Sequence, residues 1–242
     1  MARLRYPAGR SRLIDSMNPS LNYRFWRVVV RALARAYWDL RIYNVERVPT
    51  TGPVILAANH ASFADPPLVG VGIHRATYFL ARDTLFRQPL FGAWLRSVNS
   101  IPVDREGGGA AGLRVVLNLL EQGEMVLLFP EGTRSPNGDL LPARPGLGLI
   151  AIKSGAPVVP VRLFGLFDAW GRHRRLPGPG RVVIKYGFPL RFDDSPGSEW
   201  IPSGLSAKAR SQWASDRIMQ AIGNLAPCQE LTAFPPTRTI ST

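Results

Sequence analysis

Residues 53–67 read PVILAANHASFADPP, and the change of character in the middle of this stretch sets the fold. VILAA (54–58) is a continuous apolar run of strand length, as expected for a strand buried on both faces. The run stops at Asn59 and His60. Pro66 then stands where a first helical residue belongs, with Asp65 at the cap and a helix expected over Pro66–Ile73.

The same alternation continues along the chain. A strand is expected near Thr77–Leu80, an amphipathic stretch at Leu85–Val98 and a short extended run at Ser100–Val103. A helix follows at Ala110–Gln122, a strand at MVLLF (125–129), a helix near Gly146–Ser154 and a strand at PVVPVRLF (157–164). RVVIKYG (181–187) reads as another strand, and Ser206–Asn224 as a final amphipathic helix. Such alternation implies an α/β fold: a single domain with a mixed, largely parallel central sheet covered by helices. The 242 residues, 45% of them hydrophobic, suffice for one such core. GLFDAWGRHRRLPGPG (165–180) reads as a basic, glycine-rich loop, and 194–205 as an irregular connection. The expected division is a basic tail over 1–20, an amphipathic helix over 21–40, the main domain over 41–225 and a polar, mobile tail over 226–242.

The net charge of +13 is almost all arginine, since Lys153, Lys185 and Lys208 are the only lysines. Nucleic acid, an acidic membrane surface and a phosphorylated substrate would each satisfy it. Residues 21–40 (LNYRFWRVVVRALARAYWDL) narrow the choice. At about 100° per residue Arg24, Arg27, Arg31 and Arg35 share one arc, and Trp26, Val29, Val30, Leu33, Tyr37 and Leu40 lie opposite. That pattern fits a helix lying in a membrane interface with its arginines toward lipid phosphates; a surface helix packed on the core is the plainer alternative. No stretch is long and apolar enough to span a bilayer, and the start, MARLRYPAGRSRLID, is followed by no apolar leader segment. The expectation is a peripheral protein at the cytoplasmic face of the cell membrane. Cys228 is the only cysteine, and His60, His74 and His173 lack zinc-ligand spacing, so no metal is expected.

Three segments offer chemistry. Within one helix His60 and Asp65 would point about 140° apart, so a direct pair needs a turn between them. A turn before Pro66 would let the carboxylate fix one imidazole nitrogen and leave the other as a base. Ser62 and Asp65 are equally well spaced for a capping box, and the eight residues alone admit both readings. FPEGTRS (129–135) follows a core strand, and its glycine turn with Arg134 would suit a phosphate, or it is a polar loop with Glu131 paired to a nearby arginine. IPVDREGGG (101–109) places Asp104 and Arg105 beyond another extended run, where they join the same rim or form a surface salt bridge. No G-x-S-x-G nucleophile elbow occurs.

In order along the chain, these pieces resemble the glycerolipid acyltransferase family, which includes bacterial 1-acylglycerol-3-phosphate (lysophosphatidate) acyltransferases. N-H-x-x-x-x-D matches Asn59, His60 and Asp65; Ile101–Arg105 resembles an I-P-V-D-R block; Phe129–Arg134 is F-P-E-G-T-R; and Val159–Val161 follows AIKSGAPV. The similarity spans roughly residues 40–190, and four ordered blocks are far more specific than any one. The resemblance implies that His60, oriented by Asp65, is a general base that takes a proton from a glycerol hydroxyl. That oxygen would attack the thioester of acyl-CoA or acyl-carrier protein with no covalent acyl-enzyme and no cofactor. Arg105, Glu131, Gly132, Thr133 and Arg134 would hold the phosphate and glycerol of the lyso-lipid acceptor, and Arg144 stands where many members carry lysine. Asp65 would then serve both the helix boundary and the imidazole, with Ser62 as the capping residue. Rival readings are another acceptor, such as a lyso-ornithine lipid or a lysophospholipid, and a non-catalytic binder of anionic lipid. Nucleic acid is not an expected partner.

Overall fold

The computed structural model describes residues 21–103 and 110–226. The N-terminal tail, Asp104 and Arg105 of the IPVDR block, and residues 227–242 of the C-terminal tail lie outside the described residues. In chain order the elements are α1 (Leu21–Trp38), β1 (Leu40–Tyr43), β2 (Val54–Ala58), α2 (Asp65–Gly70), β3 (Thr77–Arg82), α3 (Pro89–Ser97) and β4 (Ser100–Val103). They continue as α4 (Ala110–Glu121), β5 (Met125–Leu128), α5 (Pro145–Ser154), β6 (Val158–Phe164), α6 (Leu166–Trp170), β7 (Val182–Tyr186) and α7 (Ala207–Gly223).

The seven strands form one sheet in the order β1-β7-β6-β2-β5-β3-β4. β6, β2, β5, β3 and β4 run parallel; β7 is antiparallel to β6, and β1 pairs parallel with β7. The mixed, largely parallel α/β sheet expected from the alternation is therefore present. Every residue of β2 is buried, which explains its unbroken apolar run: the strand has no wet face. Its side chains alternate. Val54, Leu56 and Ala58 join one core with Ala34 and Trp38 of α1, Leu68 and Val69 of α2, and Leu166 and Ala169 of α6. Ile55 and Ala57 join a second core with Val116 and Leu120 of α4, Leu147 and Ile150 of α5, and Ile218 and Ile222 of α7. The result is three layers, with helices on both faces of the sheet. α5 and α7 pack so closely that a side chain on Gly148 would collide with the Ser211 carbonyl oxygen, and Ser215 Oγ, accepting from Gly148 N at 2.8 Å, ties the two helices.

Two elements differ from the sequence expectation. The N-terminal helix ends at Trp38, two residues early, because Leu40–Tyr43 is an edge strand paired in register with Val182–Lys185. The supposed loop 165–180 begins with α6, whose Leu166 and Ala169 are buried in the first core.

α1 also sits differently. Its inward stripe is Tyr23, Arg27, Val30, Ala34 and Trp38: Tyr23 Oη accepts from Thr77 N at 3.2 Å, Trp38 Nε1 donates to Gly178 O at 2.9 Å, and Arg27 Nη1 donates to Ile73 O. Arg24 and Arg35 are exposed and Arg31 half-buried, so the arginines border the inward stripe instead of standing opposite it. The outward face is apolar, with Leu21 82% and Leu33 64% exposed beside Phe25, Val28 and Tyr37. Trp26 is half-buried, with its ring 5.5 Å from that of Phe25 and 5.8 Å from that of Trp94 on α3. Among the described residues no helix is long and apolar enough to cross a membrane.

Candidate active site

β2 and β5 are parallel neighbours with Ala57 opposite Leu128, so the segments leaving their carboxyl ends emerge side by side. These are the NHASFADP turn and the FPEGTR turn, and the carboxyl edge of a parallel sheet is where open α/β folds place ligands. Two hydrogen bonds lock the turns together: His60 N donates to Glu131 Oε1 at 2.9 Å, and Ser135 N donates to His60 O at 2.8 Å.

The first turn brings His60 and Asp65 into contact, with Nδ1 to Oδ2 at 2.8 Å. Asp65 Oδ2 also accepts from Ala61 N at 2.6 Å and Ser62 N at 2.7 Å. Three donors converge on Oδ2 of this carboxylate, whose side chain has 0% exposure, and orient it toward the ring, while Oδ1 is buried without a hydrogen-bond partner among the described residues. With the Nδ1 proton directed at Asp65, Nε2 is the nitrogen left to accept a proton. The ring is 14% exposed and lies parallel to the Phe129 ring, 3.9 Å between centroids, so its plane is fixed while one edge remains open. The helix starts at Asp65, one residue before the expected Pro66, and Ala64 occupies the N-cap position. Ser62 is not the cap: its hydroxyl accepts from Ala64 N at 3.1 Å and donates to Trp170 O at 2.7 Å, which commits its proton elsewhere.

In the second turn Glu131 is buried, and its two oxygens accept from His60 N and, at 3.3 Å, from Leu141 N. Its carboxylate is thus spent on main chain, including that of His60. Burial raises the Glu131 carboxyl above its usual range and the nearby Asp65 charge adds to this, while the two backbone donors and Arg162 act against it. Gly132 is exposed at φ +67°, a left-handed conformation, and a side chain there would meet Arg144 Cδ at 2.9 Å. Arg144 therefore lies across the turn. Thr133 is half-buried, and the Arg134 guanidinium rests on the Phe63 ring, 3.5 Å from its centroid. The His60–Asp65 pair, a glycine turn and arginines thus share one rim. Arg105 lies outside the described residues, beyond β4, whose carboxyl end is on the same side of the sheet.

Several contributors carry no role expected from sequence. Asn59, one residue before His60, donates to Leu163 O at 3.2 Å and accepts from Leu163 N at 2.8 Å, extending the β2–β6 pairing with a side chain. Phe129 supplies the platform under His60. Both lie inside the quoted motifs, which was the available signal. Phe63 and Trp170 had none, because their rings, 6.3 Å apart, meet across 107 residues of chain. His74 and His173 are both exposed.

A family model described as Acyltransferase matches residues 39–163, a little more than half of the chain. The chain is 30% identical over 199 residues to 1-acyl-sn-glycerol-3-phosphate acyltransferase of Bacillus subtilis (strain 168), covering 82% of this chain and 96% of that protein. It is 33% identical over 143 residues to the protein of the same name from Cocos nucifera, covering 58% of this chain and 46% of that one. The crystal structure of the 1-acyl-sn-glycerophosphate (LPA) acyltransferase PlsC from Thermotoga maritima superposes with a TM-score of 0.65 at 25% identity, over 88% of this chain and 79% of that one. With the His60–Asp65 pair in contact and the matched segment running from β1 to the end of β6, the chain belongs to the acyltransferase family.

Proposed function

We propose that the protein moves a fatty acyl group from an acyl thioester, acyl-CoA or acyl-carrier protein, to the free glycerol hydroxyl of 1-acylglycerol-3-phosphate, giving phosphatidate, as a peripheral enzyme at the cytoplasmic face of the cell membrane. The observation that carries this reading is the His60–Asp65 contact of 2.8 Å beside a glycine turn and Arg134. His60 Nε2 takes the hydroxyl proton as the glycerol oxygen attacks the thioester carbonyl. The carbon–sulfur bond breaks, and the thiolate regains a proton from the imidazolium. The products are an ester and a free thiol, and no serine or cysteine ester is needed. Asp65 holds the imidazole and stabilises its charged form, and Glu131 holds the main chain beneath it. Arg134, with Arg105 and the Gly132–Thr133 main chain, receives the acceptor's phosphate, for which a planar bidentate donor is suited.

The names of the relatives support the acceptor, and the outward apolar face of α1, with Arg24, Arg31 and Arg35 beside it and Arg27 turned inward, supports a membrane position. The test is purified protein with labelled acyl-CoA or acyl-carrier protein and a panel of acceptors: lysophosphatidate, lyso-ornithine lipid and other lysophospholipids. Thiol release that depends on lysophosphatidate and disappears in His60→Ala is the expected result. Turnover only of another acceptor overturns the substrate assignment; undiminished release by His60→Ala overturns the mechanism. Co-sedimentation with anionic vesicles tests the membrane position, which loses its basis if Arg24→Glu with Arg35→Glu changes nothing.

A further inference from the structure

The exposed run Arg172-His173-Arg174-Arg175-Leu176 has no part in the chemistry described above. We propose that it is a second lipid contact, a basic clasp that grips anionic headgroups and holds the mouth of the active site against the bilayer. The proposal rests on the membrane reading of α1 and extends it to a loop that is tied both to the end of α1 and to the FPEGTR turn.

The run is suspended between two anchors. On one side Arg172 Nη1 donates to Arg134 O at 3.3 Å, tying it to the FPEGTR turn. On the other, Tyr37 Oη and Trp38 Nε1 of α1 donate to Pro177 O at 2.8 Å and Gly178 O at 2.9 Å, and Gly178 N donates to Ala169 O at 2.7 Å. The loop thus bridges the site and the end of α1. Between the anchors the His173 ring leans on Phe167, 4.7 Å between centroids, while Arg174, Arg175 and Leu176 face solvent. Leu176 is 78% exposed and immediately precedes Pro177, the residue through which Tyr37 ties the loop to α1. Among the described residues no carboxylate forms an ion pair with Arg174 or Arg175; the nearest acid in sequence, Asp168, is itself exposed on α6.

Arginines without a carboxylate partner next to an exposed leucine, on a loop tied to the end of α1, match the two layers of a membrane surface: phosphates outside and acyl chains beneath. A soluble phosphate ligand would use the arginines and leave the leucine without a purpose. The anchor at Arg134 gives the contact its consequence, because seating this loop on headgroups sets the phosphate-binding turn at the depth of an anionic lyso-lipid.

The test uses the full chain, vesicles of phosphatidylcholine with and without phosphatidylglycerol, and two variants clear of the catalytic and phosphate-binding residues: Arg174→Ala with Arg175→Ala, and Leu176→Ser. Three readouts are taken: thermal unfolding, partition onto vesicles, and thiol release with a short-chain lysophosphatidate dissolved as monomer. At about fivefold per basic residue near an anionic surface, the double arginine variant should lose about 25-fold in partition onto phosphatidylglycerol vesicles. That loss should shrink as salt is added and vanish on neutral vesicles. Leu176→Ser should weaken partition onto both, and turnover of the soluble acceptor should be unchanged in each variant. Unaltered partition by a folded double variant overturns the proposal. So does unaltered partition with a raised KM for carrier-protein donor alone, which would make the loop a protein-docking site, or a fall in soluble turnover with unaltered partition. Failure of the acyl-transfer reading shows separately, as no thiol release by the unmodified chain, with the partition measurements still readable.

Discussion

Asp65→Asn separates the two parts that Asp65 plays. Its Oδ2 holds the turn through Ala61 N and Ser62 N and holds the base through His60 Nδ1 at 2.8 Å. Asparagine keeps the shape and one acceptor oxygen, so the turn persists; what disappears is the negative charge beside the ring when His60 takes its proton. With charge centres about 4 Å apart and an effective dielectric of about 20, the lost attraction is about 4 kcal/mol. If it acts only in the transition state, the rate falls by about 10³-fold. Weakening three charge-assisted hydrogen bonds to neutral ones, offset by no longer burying a charge, lowers stability by about 2 kcal/mol. For a chain of this size that is about 4–8 °C in Tm. The assay is thiol release at saturating acceptor, with thermal unfolding measured on the same preparation. The expected result is a modest fall in Tm, a collapse of kcat and little change in acceptor KM. A folded variant that keeps kcat within about tenfold, well short of the transition-state loss, would refute the reasoning and return Asp65 to the part of a turn-former alone.

Three further outcomes follow from the second turn. Glu131→Ala leaves His60 N and Leu141 N without their acceptor, at about 1–3 kcal/mol for each; Tm and kcat should fall together, whereas a selective rise in acceptor KM at unchanged Tm would make Glu131 a substrate ligand. Because burial raises the Glu131 carboxyl, the native state binds its proton more tightly than the unfolded chain does. Its contribution to stability is therefore fully present below the ordinary carboxylate range and declines as pH rises through the raised value. The Tm of the unmodified chain minus that of Glu131→Ala should decline across that window, and a difference that grows with pH would contradict the assignment. Gly132→Ala combines a φ of +67° with the approach of Arg144 Cδ, so a loss of at least about 1–2 kcal/mol is expected. Adding Arg144→Ala should recover only the steric share; full recovery in thermal unfolding would mean that the left-handed backbone carries no strain.

The fold was legible because its signals are short-range. VILAA reads as a doubly buried strand whatever lies beside it, and the alternation after it reproduces the sheet elements from β2 to β7 nearly in place. β1 was hidden because four residues, LRIY, have no signature apart from the partner that pairs them, and that partner lies some 140 residues downstream. The pairing of His60 with Asp65 was half legible: the spacing and Pro66 permitted a turn, but the main-chain donors of Ala61 and Ser62 that aim the carboxylate exist only once the turn has formed. Glu131 looked anomalous beside a phosphate because its reason is to hold His60, and β2 and β5 become neighbours only in the sheet.

By itself the sequence determined what depends on neighbours along the chain: the order of the strands from β2 to β7, the turn after β2, the glycine turn after β5 and the arc of arginines on α1. Only the tertiary structure decided what depends on neighbours in space. Helical periodicity divides α1 into faces without saying which turns inward, and that choice belongs to Ala34 against the core and to Tyr23 and Trp38, whose polar ends reach Thr77 and Gly178. The apolar face of Leu21, Phe25, Val28 and Leu33 is left outside for the same reason. Burial is a property of the whole packed chain: a residue's own character sets what it gains from leaving water, and the surrounding fold settles which residues have room to leave it.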